Sequence, residues 1–236
     1  MNSRYSDQVT RKQSAFTLIE LLVVITIIGV LAGLVVGMSG LASRKMRDMR
    51  VSAELQNLVA GIENYKLQTG FYPPDNSRTD YPGTPAEQEW ARTAQNTLFY
   101  ELSGATFDRT TKSFTTLNQS ESIPALDLSY FGASTIANSA RKRSDVPFRS
   151  FMLKAAQYKE VWLAGKPDAD LELLVVPVPG PKMIDGINEK KQQVPKSINP
   201  WHYDSSSTNR HNPNGFDLWA EYIVGGKTNV VGNWKD

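Results

Sequence analysis

From Phe16 to Leu41 the chain is apolar on every side of a helix and holds one ionisable side chain, Glu20. At about 1.5 Å of helix rise per residue this run extends roughly 39 Å, more than the ~30 Å hydrocarbon core of a bilayer. A helix lying on a soluble core keeps a polar stripe at helical period, but between Leu18 and Val36 only Glu20, Thr26 and small residues interrupt the apolar surface. The run therefore needs lipid or an assembly around it. A carboxylate in such surroundings is costly without a partner, so Glu20 asks for a cation. Gly29, Gly33 and Gly37 recur every fourth residue, a spacing that lets membrane helices approach closely.

Residues 1–15 are polar, with Arg4, Arg11 and Lys12 against Asp7, a flank that stays cytoplasmic. Arg44, Lys45, Arg47 and Arg50 follow the run, so charge alone leaves its orientation open. A secretory signal ending near Ala42 is the plain alternative. Its apolar region would far exceed the usual ~7–15 residues and would contain a Glu. The chain's net charge of +2 is carried by the leader alone, and the balanced remainder offers no general attraction for nucleic acid. The absence of cysteine excludes disulfides, thiolate metal sites and a cysteine nucleophile.

Beyond Ser43, Val51, Leu55, Leu58, Ile62 and Tyr65 fall on one helical face, and no proline occurs before Pro73. This spacing predicts one helix from Phe16 to about Thr69, stopped by Gly70, with its second half dry on one side. Residues 75–84 have loop composition. Thr84-Pro85-Ala86-Glu87 has the form of a capping box, and Trp90, Ala94, Leu98 and Leu102 continue it as a helix closing at Gly104. Residues 105–147 are polar and loop-like, and include the basic run Arg141-Lys142-Arg143, while 148–164 suggest a short helix. The best strand is Leu171–Val178, followed by weaker ones over Ser197–Tyr203 and Phe216–Val224 and a turn at Gly225-Gly226. Three strands facing the long helix would bury a core.

Ala15-Phe16-Thr17-Leu18-Ile19-Glu20 running into the apolar stretch resembles the leader junction of type IV pilins and of the pseudopilins of type II secretion. Ala15 stands where that family usually has Gly, and Gly37 where pilin-like helices often carry Pro. Tyr65-Lys66-Leu67 with Gly70 and Tyr72-Pro73 is similar to the end of the long helix in major pseudopilins. Asn199-Pro200-Trp201, Gly215-Phe216-Asp217-Leu218 and Gly232-Asn233-Trp234 resemble their C-terminal elements in the same order. The absent cysteines depart from adhesive pilins closed by a disulfide. The resemblance does not extend through the 105–170 region.

What the resemblance implies is an α+β pilin-like fold: a leader at 1–15, a transmembrane and filament-core helix at 16–41, an amphipathic continuation at 42–70, and a periplasmic domain at 71–236 resting a small antiparallel sheet on the helix. It implies cutting between Ala15 and Phe16 by prepilin peptidase, methylation of the new amine, and pairing of Glu20 with that amine on a neighbouring copy. The protein would sit in the bacterial inner membrane, N-terminus cytoplasmic, until drawn into a filament with itself and other pseudopilins by the inner-membrane assembly platform. The type II pseudopilus is the favoured setting, with a minor pseudopilin or a type IV pilin as the alternative. A monomeric membrane-tethered module, binding a polymer through Tyr72, Trp201 and Trp219, is the competing class and gives Glu20 no role.

His202 and His211 are the only imidazoles, and no HExxH, GxSxG, P-loop or GxGxxG pattern occurs, so a structural rather than enzymatic role is expected, without a cofactor. Asp168, Asp170 and Glu172 lack the glycine and closing glutamate of an EF-hand and are expected on a solvated approach to a strand. Family resemblance also implies Ca²⁺ in the loop between Phe-Asp-Leu and the final Trp. Here that loop, residues 219–231, has Val230 in place of the family's Asp, contains Lys227, and leaves Asp217 and Glu221, with Asp236 beyond, as the remaining acids. It is expected to be held by hydrogen bonds and by Trp219 and Trp234, without a tight calcium site.

Overall fold

The computed structural model describes residues 17–117, 122–140, 153–163 and 166–234, with side chains throughout these segments except at 35–39 and 166–170. The apolar and amphipathic runs form one helix, α1 (Leu18–Thr69), which ends as the periodicity predicts. Gly70 stops it: its amide still reaches the Lys66 carbonyl at 2.8 Å, but its φ of 87° lies where a side chain would be strained. The chain forms two units, residues 1–45 and 46–236. In the first, the apolar side chains from Leu18 to Leu34 are exposed and Gly29 and Gly33 have open space around them, while Gly37 lies outside the described side chains. Among the described residues no helix is long and apolar enough to cross a membrane.

In the second unit the expected face of α1 is the core: Val51, Leu55, Leu58, Ile62 and Tyr65 are each no more than 2% exposed. The capping box forms as read, with Thr84 and Glu87 bonding each other's amides at the start of α2 (Pro85–Ala94). The helix does not continue to Gly104. Asn96 takes the Leu98 amide and donates to the Thr93 carbonyl, a local competition that breaks the run before α3 (Leu98–Ser103).

The 105–147 region is not a plain loop. It holds β1 (Ala105–Asp108), β2 (Ser113–Thr116), β3 (Ser122–Pro124), a 3₁₀ turn at Ala125–Phe131, and β4 (Ser139–Ala140), ordered β3-β2-β1-β4 and antiparallel except for the two-residue β1–β4 pair. Threonine and serine suit a half-buried pleat, so polar composition conceals these strands. The expected helix at 148–164 is also corrected: within it Tyr158–Leu163 is β5, where Val161 and Leu163 alternate inward, and 148–152 lie outside the described residues.

β6 (Lys166–Leu174) begins before the expected Leu171 and stops short of Val178, Val175 making only a bridge to Pro200. With β7 (Ile184–Ile187) and β8 (Gln193–Ile198) it builds an antiparallel sheet ordered β6-β5-β7-β8. The expected strand at Ser197–Tyr203 is thus divided: Ile198 ends β8, and β9 (His202–Asp204) starts a third sheet with β10 (Asp217–Val224) and β11 (Lys227–Gly232), ordered β11-β10-β9. Gly225 and Gly226, at φ 63° and 77°, make the predicted hairpin turn. Three sheets, not one small sheet, share the core with α1.

Candidate functional site

The start of α1 is closed by its own residues. Thr17 takes the cap position: its hydroxyl accepts from the Glu20 amide at 3.3 Å, and the Glu20 carboxylate accepts the Thr17 amide at 2.8 Å and hydroxyl at 2.7 Å. Glu20 thus lies on the exposed first turn, satisfied within one copy. The processing pair Ala15 and Phe16 lies outside the described residues, as do Arg141-Lys142-Arg143 and Asp236.

The second sequence-derived site, around Asp217 and Glu221, lies on an open groove of about 580 Å³ beside β10 and β11. Asp217 is spent on protein: it accepts the His211 amide at 2.6 Å, His211 Nδ1 at 3.0 Å and the Asn212 amide at 3.0 Å. Glu221 shares the groove without joining it, paired in the ladder opposite Val230. The supposed calcium loop is a closed hairpin, in register from Trp219↔Gly232 to Val224↔Lys227, with β10 flanked by β9 on its other side. Calcium takes six to eight oxygens, and the Asp217 carboxylate is already occupied by these three protein donors. Among the described residues no three His, Asp or Glu side chains are grouped to hold a metal. Aromatic packing closes the hairpin instead: His211 stacks on Trp234 at 4.0 Å, and Trp234 meets Trp219 edge-on at 5.9 Å.

The loop between β9 and β10 is ordered by buried charge that sequence reading missed. Arg92 on α2 binds Asp204 at 2.7 Å, Glu89 at 2.7 Å and Asp75 at 3.3 Å. Asp75 also takes the Ser205 and Ser206 amides, and Asp204 those of Ser206 and Ser207. Burial opposes ionisation of Asp204, but the Ser207 amide and the Arg92 guanidinium outweigh it and hold the carboxyl below its usual range. Glu101 is a second hidden carboxylate, accepting Tyr65 Oη at 3.0 Å and the Ala137 and Asn138 amides at 2.7 and 2.9 Å, and burial raises its pKa. No local pattern could have exposed contacts spanning a hundred residues.

Both histidines pack against tryptophan rings. His202 is buried between Trp90 and Trp219 with Nδ1 2.8 Å from Thr93 Oγ1, and burial, helped by the charge of Lys182, pushes its pKa down to about 3. Of the three aromatics of the tethered-module reading, Trp201 is 1% exposed and so has no surface to offer, and Tyr72 packs edge-on against Phe216.

Residues 10–36 match the prokaryotic N-terminal methylation motif. The chain is similar to the type II secretion system core protein G of Pseudomonas aeruginosa, 31% identical over 85 residues that cover 34% of this chain and 60% of that protein. It is 40% identical to the core protein G of Escherichia coli over 67 residues, 28% of this chain and 46% of the relative. The chain thus spans about half the length of the curated relatives it matches. No solved structure matches it.

Proposed function

We propose that this protein is a structural subunit of a type II secretion pseudopilus, processed between Ala15 and Phe16 and assembled through α1. The carrying observation is the methylation motif over 10–36, joined to similarity with two proteins named as type II secretion core components. On this reading the fold is pilin-like, residues 16–41 are a single-pass inner-membrane anchor with a periplasmic domain beyond it, and the role is without catalysis. Prepilin peptidase, other pseudopilins and the inner-membrane platform are its partners.

Before assembly Glu20 is bonded to Thr17. In the filament it exchanges these bonds for the methylated amine of Phe16 on a neighbouring copy. Attraction between opposite charges rises as water is excluded, but desolvation returns much of the gain, so the pair sets axial register more than stability. Glu20→Ala should leave the protein inserted while strongly reducing subunit-to-subunit cross-links. Normal cross-linking of that variant would overturn the assembly role of Glu20.

A further inference from the structure

The groove on the β10–β11 hairpin has no part in a filament core made by α1. Four carboxylates line it, those of Glu89, Asp204, Asp217 and Glu221. Against them stand two guanidinium groups: Arg92, shared by Glu89 and Asp204, and Arg210, which is tied to the Ser207 and Pro213 carbonyls at 2.5 and 3.0 Å. The groove is therefore anionic. Trp219 and Trp234 line it, each with one ring face covered by a histidine, His202 and His211, and cations bind to the remaining aromatic surface.

One wall is β11, a sheet edge whose Val230 is 60% exposed. The other edges are guarded. β3 ends in Pro124; β8 carries Pro195 and a left-handed Lys196; β4 and β9 are two and three residues long; α3 and β3 lie against β6. Among the described residues β11 is the one long unguarded edge, the kind of strand that takes up another extended chain.

The sequence contains a segment of complementary charge, Arg141-Lys142-Arg143, followed by Arg149 and opposed only by Asp145. We propose that the anionic, tryptophan-lined groove beside β11 receives the Arg141–Arg143 run of a second copy. The inference rests on the filament reading, which brings copies side by side. It adds a polar contact between globular domains that lies outside the helix bundle.

The chain lacks cysteine, so paired substitutions can report the contact directly. In the full-length protein in membranes, Val230→Cys with Lys142→Cys should yield an oxidation-dependent species of two chains, several-fold above either single variant. High salt should weaken it, since exposed charge pairs are screened. Adding Glu221→Lys should reduce the yield several-fold, and adding Arg143→Glu to that variant should restore it. Leu31→Cys in the same membranes reports helix packing independently. Helix cross-links without the Val230–Lys142 species would overturn the groove contact and leave the filament reading standing. Loss of both would remove both. A bond within one chain, or capture of a different protein, would also overturn it.

Discussion

Two stretches of α1 are comparably apolar on one face and meet opposite fates. From Leu18 to Leu34 the large side chains are exposed, Leu31 at 56%, whereas Val51 to Tyr65 present a face with Leu58 and Ile62 fully buried. The difference lies in what each sequence leaves on its other sides. Arg50, Gln56, Asn57 and Glu63 give the second stretch a wet flank, so its dry face is satisfied once, by its own domain. The first stretch is apolar all round and cannot be satisfied by any single face. One helix thus carries a stretch buried by its own domain and a stretch left exposed on all sides, separated by pattern alone.

The sharpest way to break this comparison is to cut the same side chain in both halves. Leu58→Ala should cost about 2–5 kcal/mol of domain stability, as buried leucines do. Leu31→Ala should change it by less than about 0.5 kcal/mol, as exposed positions do, while weakening helix cross-links. Denaturation of both full-length variants in detergent measures the contrast. Equal losses would mean that the first stretch is folded against the domain after all.

A smaller effect tests how tightly the domain is closed. His202 has its pKa lowered from 6.5 to about 3 by burial, so the fold resists its protonation while the unfolded chain accepts it. Its stabilising contribution is full above pH 6.5 and is lost as pH falls toward 3, at up to about 1.4 kcal/mol per pH unit. Glu101, raised by burial, slopes the other way above its ordinary 4.5. The difference between the parent and His202→Phe isolates the imidazole. Parallel stability–pH curves for the two would show that His202 is protonated freely.

The smallest expected effect is none. Thermal melts with EGTA and with millimolar calcium should coincide, because the hairpin is closed by its ladder and by the His211–Trp234–Trp219 stack. A rise of many degrees with calcium would show that the domain needs an ion to finish it.

What the sequence disclosed was local or periodic. The buried face of α1, the Thr84–Glu87 box and the Gly225-Gly226 turn each depend on residues a few positions apart, and the structure forms all three. The break at Asn96 escaped because a short polar side chain outcompeted an otherwise sound apolar stripe. The 105–140 sheet escaped because strands such as Ser113-Phe114-Thr115-Thr116 carry too few apolar residues to alternate visibly. Arg92 and Asp204 are 112 positions apart, and Glu101 meets Asn138 across 37, so no window of sequence contains either contact. Asp217 and Glu221 line one groove, and the partners that occupy Asp217 come from the His211-Asn212 turn, outside the loop in which the sequence suggested a ligand set.

Processing at Ala15–Phe16 would leave its mark on the N-terminus of the purified chain. Intact-mass and N-terminal peptide mass spectrometry of the protein purified from membranes should find a chain beginning at Phe16 with one methyl group on its amine. A chain still beginning at Met1, or one beginning at Ser43 after removal of a signal, would contradict processing at Ala15–Phe16 and with it the filament.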